Sequence, residues 1–162
     1  MTLRLEVSRA LRASPDRVWS ELVDWPGQGR WIPLTQVRVT GGPTAGLGAR
    51  VTALSGFRVG PVPVGLLDRF VVTGWTPPGT HPDVPGELAV LHLGPYFTGE
   101  GSFKVFSDPV GARLVCTEVF SVPGGAPVEA VLRLALPVMR RGFAASLDTF
   151  AGLVEQPASG SR

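Results

Sequence analysis

The sequence predicts an α+β fold in which one antiparallel sheet is covered by a single long helix. Three features support this prediction. An alternating strand and a capped helix open the chain, and strand patterns separated by Gly- and Pro-containing turns fill residues 36–122. Residues 126–155 then repeat apolar side chains at a spacing of three or four. Strands grouped together, with helices at the two ends, are typical of the α+β class. We expect a curved sheet of about six to seven strands.

Composition narrows the class of protein. With 162 residues, of which 44% are hydrophobic and 17% charged, the chain is expected to fold as one globular domain over residues 1–155. Residues 156–162, "QPASGSR", are expected to form a disordered tail. The net charge is only +2 and the arginines are scattered, so there is no basic stripe of the kind that binds nucleic acid. We therefore predict no nucleic-acid partner.

A single cysteine, Cys116, excludes an internal disulfide and a multi-cysteine metal site. His81, His92 and Cys116 lack close ligand spacing, so we predict no metal and no cofactor. No apolar run approaches the roughly 18 residues of a membrane span. Charged residues interrupt the N-terminal stretch, which does not resemble a signal peptide. A cytoplasmic monomer or homodimer without membrane insertion is the resulting expectation.

The opening elements have clear boundaries. Residues 3–11 alternate apolar and polar side chains, which predicts a half-buried strand. Ser14 and Pro15 then occupy the cap and the first position of a helix. This helix has to end by Trp25, because Pro26 and a glycine follow, and a short second helical turn stops by residue 33. Two short helices are therefore expected after the first strand.

The middle of the chain has the pattern of strands joined by turns. Pro61 and Pro63 interrupt the apolar stretch 57–67, which we predict to be an edge strand or a loop. The clearest strand patterns are 36–42, 46–56, 68–75, 88–93, 97–106 and 113–122.

The C-terminal helix is the only predicted element long enough to cover such a sheet. Its apolar side chains recur at 132, 136, 139, 143, 147, 150 and 154. Pro137 interrupts the hydrogen-bond ladder, so a kink or a break is expected near Leu136. A curved sheet around one helix does not need to close tightly, and we expect a cavity between them.

Several stretches resemble the START-like superfamily, also called Bet v 1-like or SRPBCC, and in particular its polyketide cyclase/dehydrase and lipid transport type. They occur in the family's order across roughly residues 3–155, and the first, a strand followed by S-P-x-x-V-W and a downstream Trp, is the most specific. The stretches are "VSRALRASPDRVWSELVDWPGQGRWIP", "RFVVTGWTPPG", "TGEGSFKV", "GARLVCTEVFSVPG" and "SLDTFAGLVE".

The resemblance implies a helix-grip fold with a deep apolar cavity between sheet and helix. Members of the family include lipid and hormone carriers, aromatase/cyclases, coenzyme Q-binding proteins and co-chaperone-like modules. No fixed catalytic motif unites them, so the fold by itself does not specify a function.

His92, Tyr96 and Glu100 are spaced by four residues, which would align acid/base side chains on a helix. Gly94 and Pro95 lie between the first two, however, so strand parity applies instead. Parity places Glu100 on the solvent face, where Lys104 or a neighbour could pair with it. Both faces of the strand that carries His92 are apolar, so the direction of this side chain stays open. Tyr96 either offers a hydroxyl to a ligand or caps the rim of the cavity.

Glu118 is the better candidate for an inward carboxylate. It shares a strand face with Cys116 and Phe120, the face with the larger side chains. An unpaired buried carboxylate is costly, so we expect a partner or a protonated acid, and Arg9 has the required parity on the first strand. The alternative is that Glu118 lies on the outer face. Cys116 itself is expected to be a small core side chain.

Binding of a hydrophobic small molecule, such as a lipid, a polyketide or an isoprenoid, is the predicted function. The alternatives are an aromatase/cyclase-type enzyme, with His92, Tyr96 and Glu118 as acid/base candidates, and a protein-interaction module without a ligand. Ligand identity, catalysis and oligomeric state stay open. The predicted cavity residues are Arg9, Trp31, Phe70, His92, Tyr96, Phe103, Cys116, Glu118, Phe120, Leu136, Met139, Phe143 and Leu147.

Overall fold

The computed structural model describes residues 2–59, 62–80 and 83–157. Seven strands, two α-helices and one 3-10 helix follow one another within these ranges. In chain order they are β1 (Leu3–Leu11), α1 (Pro15–Leu22), the 3-10 helix (Trp25–Arg30), β2 (Thr35–Gly41), β3 (Arg50–Val59), β4 (Val62–Thr76), β5 (Gly86–Pro95), β6 (Thr98–Asp108), β7 (Gly111–Ser121) and α2 (Gly125–Val154).

All seven strands form one antiparallel sheet in the order β1-β7-β6-β5-β4-β3-β2. The two edges are therefore β1 and β2. The predicted α+β class is confirmed, together with its long C-terminal helix and two short helices after the first strand. None of the helices in the described ranges is long and apolar enough to cross a membrane. The tail predicted for 156–162 lies outside the described residues from 158 onward.

The short helices begin where the sequence predicts. The Ser14 hydroxyl accepts a hydrogen bond from the Arg17 backbone N–H at 3.2 Å, and Pro15 is the first helical residue. These contacts satisfy or remove donors that a helix start otherwise leaves unpaired. The Asp24 carboxylate accepts from the Gly27 N–H at 3.3 Å and caps the 3-10 helix in the same way.

Residues 57–59 and 62–67, for which an edge strand or a loop is expected, are strand and pair with each other. β3 continues to Val59, and β4 is a strand of 15 residues from Val62. Pro63 is tolerated because β5 pairs with β4 only from Asp68 onward, so this part of β4 has a neighbour on one side alone. Pro61 lies outside the described residues.

Of the kink or break expected near Leu136, the break does not occur, because α2 is a single helix of 30 residues that contains Pro137. One proline removes one backbone hydrogen bond, and the rest of the ladder holds the helix together on both sides.

The two halves of α2 differ in burial. In the C-terminal half, Leu147, Phe150 and Val154 are buried in the main core, together with side chains of α1 and the sheet. In the N-terminal half, Leu132 and Leu136 are only partly buried, against a smaller cluster that includes Leu3, Leu5 and Phe120. The protein is therefore closely packed at one end of α2 and open at the other.

Candidate functional site

A cavity of about 480 Å³ lies between the sheet and the N-terminal half of α2. Strands, both short helices and α2 contribute to its walls, which are mostly apolar and aromatic. Phe70 and Phe103 come from the sheet, Trp25 and Trp31 from the region of the 3-10 helix, and Phe143 from α2. Protein interiors rarely leave voids much larger than a water molecule, so a space of this size is a feature of the fold.

Asp68, His92 and Glu118 form a hydrogen-bonded trio on the wall of this cavity. Nδ1 of His92 is 3.0 Å from each carboxylate oxygen of Asp68. Nε2 of the same ring is 3.1 Å from Oε2 of Glu118. The imidazole thus bridges two carboxylates, and all three side chains are largely buried, with 8%, 16% and 17% exposure for His92, Asp68 and Glu118.

The sheet positions the trio through small residues in the strand between β5 and β7. β6 separates the strands of His92 and Glu118, which are therefore about 10 Å apart at two strand spacings. In β6, Gly99 lies opposite His92 and Gly101 lies opposite Glu118. Because Gly101 carries no side chain, the Glu118 carboxylate can lie above β6 and reach the imidazole.

The trio holds His92 in its charged form at neutral pH. Burial is the largest single influence on the pKa of His92 and lowers it, because the imidazolium loses water. The hydrogen bonds and charges of Asp68 and Glu118 together outweigh burial and raise the pKa to about 9. Phe70 and Phe97 pack against the ring, with centroids 5.8 Å and 5.0 Å away, and keep the site apolar around its charges.

The trio presents acceptors to the cavity. An imidazolium has two N–H donors, and both are used within the trio, one toward each carboxylate. One imidazolium and two carboxylates carry a net charge of −1. The groups left for another molecule are carboxylate oxygens, which accept hydrogen bonds and attract positive charge.

No protein-family model matches the sequence, and no curated protein matches it either. Solved structures match along almost the whole chain. Zhui aromatase/cyclase from Streptomyces sp. R1128 is 19% identical with a TM-score of 0.71, over 99% of this chain and 100% of that one. A protein from Thermus thermophilus is 16% identical with a TM-score of 0.70, over 94% and 97%. Ara h 8.0201, which is Bet v 1-like, is 11% identical with a TM-score of 0.65, over 95% and 98%. The chain has the helix-grip fold.

Most of the residues predicted from the sequence line the helix-grip cavity. His92 points inward and is buried, which settles the direction that parity left open. Tyr96 is half-exposed at the edge of the cavity and, within the described part of the chain, makes no hydrogen bond to His92 or Glu118. The predicted residues among the lining are Trp31, Phe70, His92, Tyr96, Phe103, Glu118, Phe120, Met139 and Phe143.

The predicted pairing of Arg9 with Glu118 is wrong, because Arg9 does not reach the Glu118 carboxylate. It lies on the predicted face of β1, but its guanidinium is 3.0 Å from Asp148 of α2 and half-exposed. The partner of Glu118 is His92. Parity gave the correct face for Arg9, but the residue lies at the part of β1 that the C-terminal half of the helix crosses, away from the cavity.

Three further predicted residues lie outside the helix-grip cavity. Cys116 is 1% exposed and belongs to the packed core, opposite Val7 in the sheet register. Leu147 is 2% exposed in the same core. Leu136 faces β1, where it packs with Leu5 and borders a separate cleft. Packing fills the space around Cys116 and Leu147, whereas Leu136 lies on the side of α2 that faces away from the cavity.

Sequence reasoning missed Asp68. The available signal was parity, because Asp68 shares a strand face with Phe70 and Val72, which are both buried. Glu100 is exposed, as predicted, whereas Lys104 pairs with Glu87 at 3.5 Å instead of with Glu100.

Two tryptophans add an unusual feature to the cavity wall. The indole N–H groups of Trp25 and Trp31 are buried and have no hydrogen-bond partner among the described residues. Each ring packs edge to face with a phenylalanine, Trp25 with Phe70 at 5.7 Å and Trp31 with Phe150 at 5.1 Å. Buried donors without a partner are uncommon in folded proteins.

Proposed function

We propose that the protein binds a hydrophobic small molecule, of the lipid, polyketide or isoprenoid kind, in the cavity between the sheet and α2. The observation that carries this proposal is a space of about 480 Å³ with apolar walls around one buried charged trio. Small-molecule sites commonly combine apolar walls with a few well-placed polar groups, in volumes of roughly 300 to 1,000 Å³. Burial of the apolar ligand surface would supply most of the affinity.

The trio of Asp68, His92 and Glu118 is the proposed polar anchor. Its net negative charge determines which polar group of a ligand can bind there. A hydroxyl, a phenol or an amine can donate to the free carboxylate oxygens. A ligand carboxylate would instead bring a third negative charge into a site with little water, which is costly. We therefore propose a ligand that carries a hydrogen-bond donor.

Filling the cavity tests whether it binds a ligand at all. Ala53 lines it, and a phenylalanine at this position would place an aromatic ring inside the space. We expect Ala53→Phe to lose most of its binding of a fluorescent apolar probe such as N-phenyl-naphthylamine, and to lose any hydrophobic molecule that native mass spectrometry detects in the purified protein. Thr52→Phe, one residue earlier and on the opposite strand face, is the matched control. Equal probe binding by both variants would contradict the proposal.

A series of ligands with the same alkyl chain and different polar groups tests whether the trio is the polar anchor. An alcohol, an amine and a carboxylic acid of equal chain length differ only in the group that meets the trio. The alcohol and the amine are expected to bind more tightly than the acid, and Glu118→Gln should weaken amine binding most, because it removes a negative charge. If the acid binds as tightly as the alcohol, the trio is not the anchor, although the cavity is still a binding site.

An aromatase/cyclase-type enzyme is the second candidate, favoured by the trio itself and by the structural likeness to an aromatase/cyclase. In that reaction a carboxylate of the trio would remove a proton from the carbon between two ketones, and that carbon would bond to a ketone carbon further along the chain, whose C=O becomes an alkoxide. The protonated carboxyl would return its proton to the alkoxide, and the resulting hydroxyl would leave as water with a second proton from the same carbon. His92 and Glu118 converge as this requires, at 3.1 Å, but Tyr96 does not join them. The proposed catalytic residues are therefore those of the trio, without Tyr96.

Product analysis separates the two candidates. A short poly-β-ketone thioester incubated with the protein should yield a cyclised, dehydrated product that Glu118→Gln does not form. Glu87→Gln, at a half-exposed carboxylate outside the cavity, is the control. Binding of the thioester without turnover would reject the enzyme and leave the binding proposal in place. The third candidate, an interaction module with a filled core, is not favoured, because the cavity is open.

A further inference from the structure

A stripe of apolar side chains lies exposed on the outer side of α2. Val131, Leu134 and Val138 are 66%, 82% and 67% exposed. Their spacing of three and four residues places them on one side of the helix. A different side of the helix, with Leu132, Met139 and Phe143, lines the cavity. Contiguous exposed apolar side chains commonly mark a surface that contacts another molecule or a membrane.

Arginines lie on the side of α2 that faces β1. Arg133, Arg140 and Arg141 of α2, together with Arg4 of β1, line a cleft of about 380 Å³ between the helix and the sheet edge. Glu6 forms an ion pair with Arg4 at 2.6 Å, and Glu129 is the one acidic residue among positions 125–147 of α2. Three arginines against one glutamate leave this part of the helix positively charged.

The positive charge next to the stripe indicates which kind of molecule can bind to it. In a second copy of the chain, pairing stripe against stripe would bring the two positively charged helices together, which opposes self-association. The surface of an anionic bilayer offers both of the required chemistries. Its acyl boundary accepts apolar side chains from a helix lying in the surface, while its phosphate groups accept hydrogen bonds from arginine.

We propose that the N-terminal half of α2 docks on the surface of an anionic bilayer, with Val131, Leu134 and Val138 in the acyl boundary and the arginine cleft on lipid phosphates. Long arginine side chains can reach from the flank of a helix to the headgroup level. The docked helix is also the wall of the cavity, so docking brings the cavity next to a reservoir of apolar molecules. The inference does not depend on the cavity ligand, because it concerns the outer face of the helix.

Vesicle co-sedimentation of the purified protein tests the proposal. We expect binding to phosphatidylcholine vesicles that contain phosphatidylglycerol, and much weaker binding to phosphatidylcholine alone or at high salt. Arg140→Gln combined with Arg141→Gln should weaken partitioning about 30-fold, at about tenfold for each 1.4 kcal/mol and about 1 kcal/mol for each arginine. Leu134→Ser should weaken it at least about tenfold, because the side chain no longer enters the acyl boundary.

Matched controls lie elsewhere on the surface. Arg38→Gln with Arg69→Gln removes the same charge from the exposed face of the sheet, and Leu47→Ser removes another exposed leucine. Both controls should bind vesicles as the unchanged protein does. Absence of binding to anionic vesicles, or equal losses in test and control variants, would overturn the proposal. So would a dimer, measured by light scattering, that Leu134→Ser converts to a monomer, because the occupant would then be a second copy.

Discussion

Gly101 lies directly opposite Glu118 in the sheet and leaves the space that the Glu118 carboxylate occupies. A Cβ atom at position 101 would be 2.9 Å from both carboxylate oxygens and 2.8 Å from a methyl group of Val90. Neither neighbour moves easily, since Val90 is 3% exposed and the carboxylate is hydrogen-bonded to His92. The geometry of the trio therefore depends on a glycine one strand away.

Gly101→Ala is expected to displace the Glu118 carboxylate and to weaken its hydrogen bond to His92. The pKa of His92 should then fall, and overpacking against Val90 should cost about 1 to 3 kcal/mol of unfolding free energy. NMR titration of the imidazole and urea unfolding measure the two effects. In Gly142→Ala the new methyl group meets nothing within 4 Å on the α2 helix, so this control should leave the pKa of His92 unchanged. An unchanged pKa in Gly101→Ala would contradict the argument.

His92 is expected to titrate with a pKa of about 9, well above its ordinary value of 6.5. Replacing either carboxylate by its amide, in Asp68→Asn or Glu118→Gln, removes one charged acceptor and should lower that pKa in each case. The C–H signals of the imidazole report the titration directly by NMR. His81 is the only other histidine and serves as an internal reference. A His92 pKa near 6.5 in the unchanged protein would show that the trio does not hold a charged ring.

The raised pKa also predicts how stability depends on pH. Protonated His92 stabilises the folded state, and this contribution is complete below the unfolded-state value of 6.5. It is lost as pH rises from there through about 9, and it amounts to at most about 3 kcal/mol. Urea unfolding across this range measures the loss. His92→Phe removes the titrating group, so its unfolding free energy should change less over the same range.

Much of the fold could be predicted because local rules decide it. Alternating apolar and polar side chains predicted the strand that begins at Leu3, and the cap at Ser14 predicted the first helix. Apolar side chains spaced by three or four residues predicted α2. Strand parity also separated inward Glu118 from outward Glu100, because successive side chains of a strand point to opposite faces.

The composition of the trio could not be predicted because it depends on strand register. Parity gives the face of a side chain, but not its position along the sheet or the neighbour it meets. Arg9 and Glu118 share a face, yet Glu118 meets His92 across β6, and Arg9 meets Asp148 on the helix. Of the kink or break expected near Leu136, the break does not occur for the opposite reason, since the helix on both sides of Pro137 overrides a local rule.

Arg9→Gln is expected to leave ligand binding unchanged, because its ion pair with Asp148 lies outside the cavity. Stability should change by less than about 1 kcal/mol, since both side chains are half-exposed or more and water screens the pair. Probe binding and urea unfolding measure the two quantities. A large loss of probe binding in Arg9→Gln, comparable to that in Ala53→Phe, would restore Arg9 as a cavity residue.

Cys116 should be unreactive in the folded protein. Burial raises the pKa of its thiol well above the ordinary range, and the nearby charge of Glu118 adds to the effect. The thiolate is the reactive form, so Ellman's reagent should modify Cys116 only when urea unfolds the chain. Ser8→Cys places a thiol at an exposed position of β1 and should react at once in the native protein. Because burial is the larger cause, Glu118→Gln is expected to leave Cys116 protected, whereas rapid labelling of that variant would mean that the carboxylate, and not the packing of the core, shields the thiol.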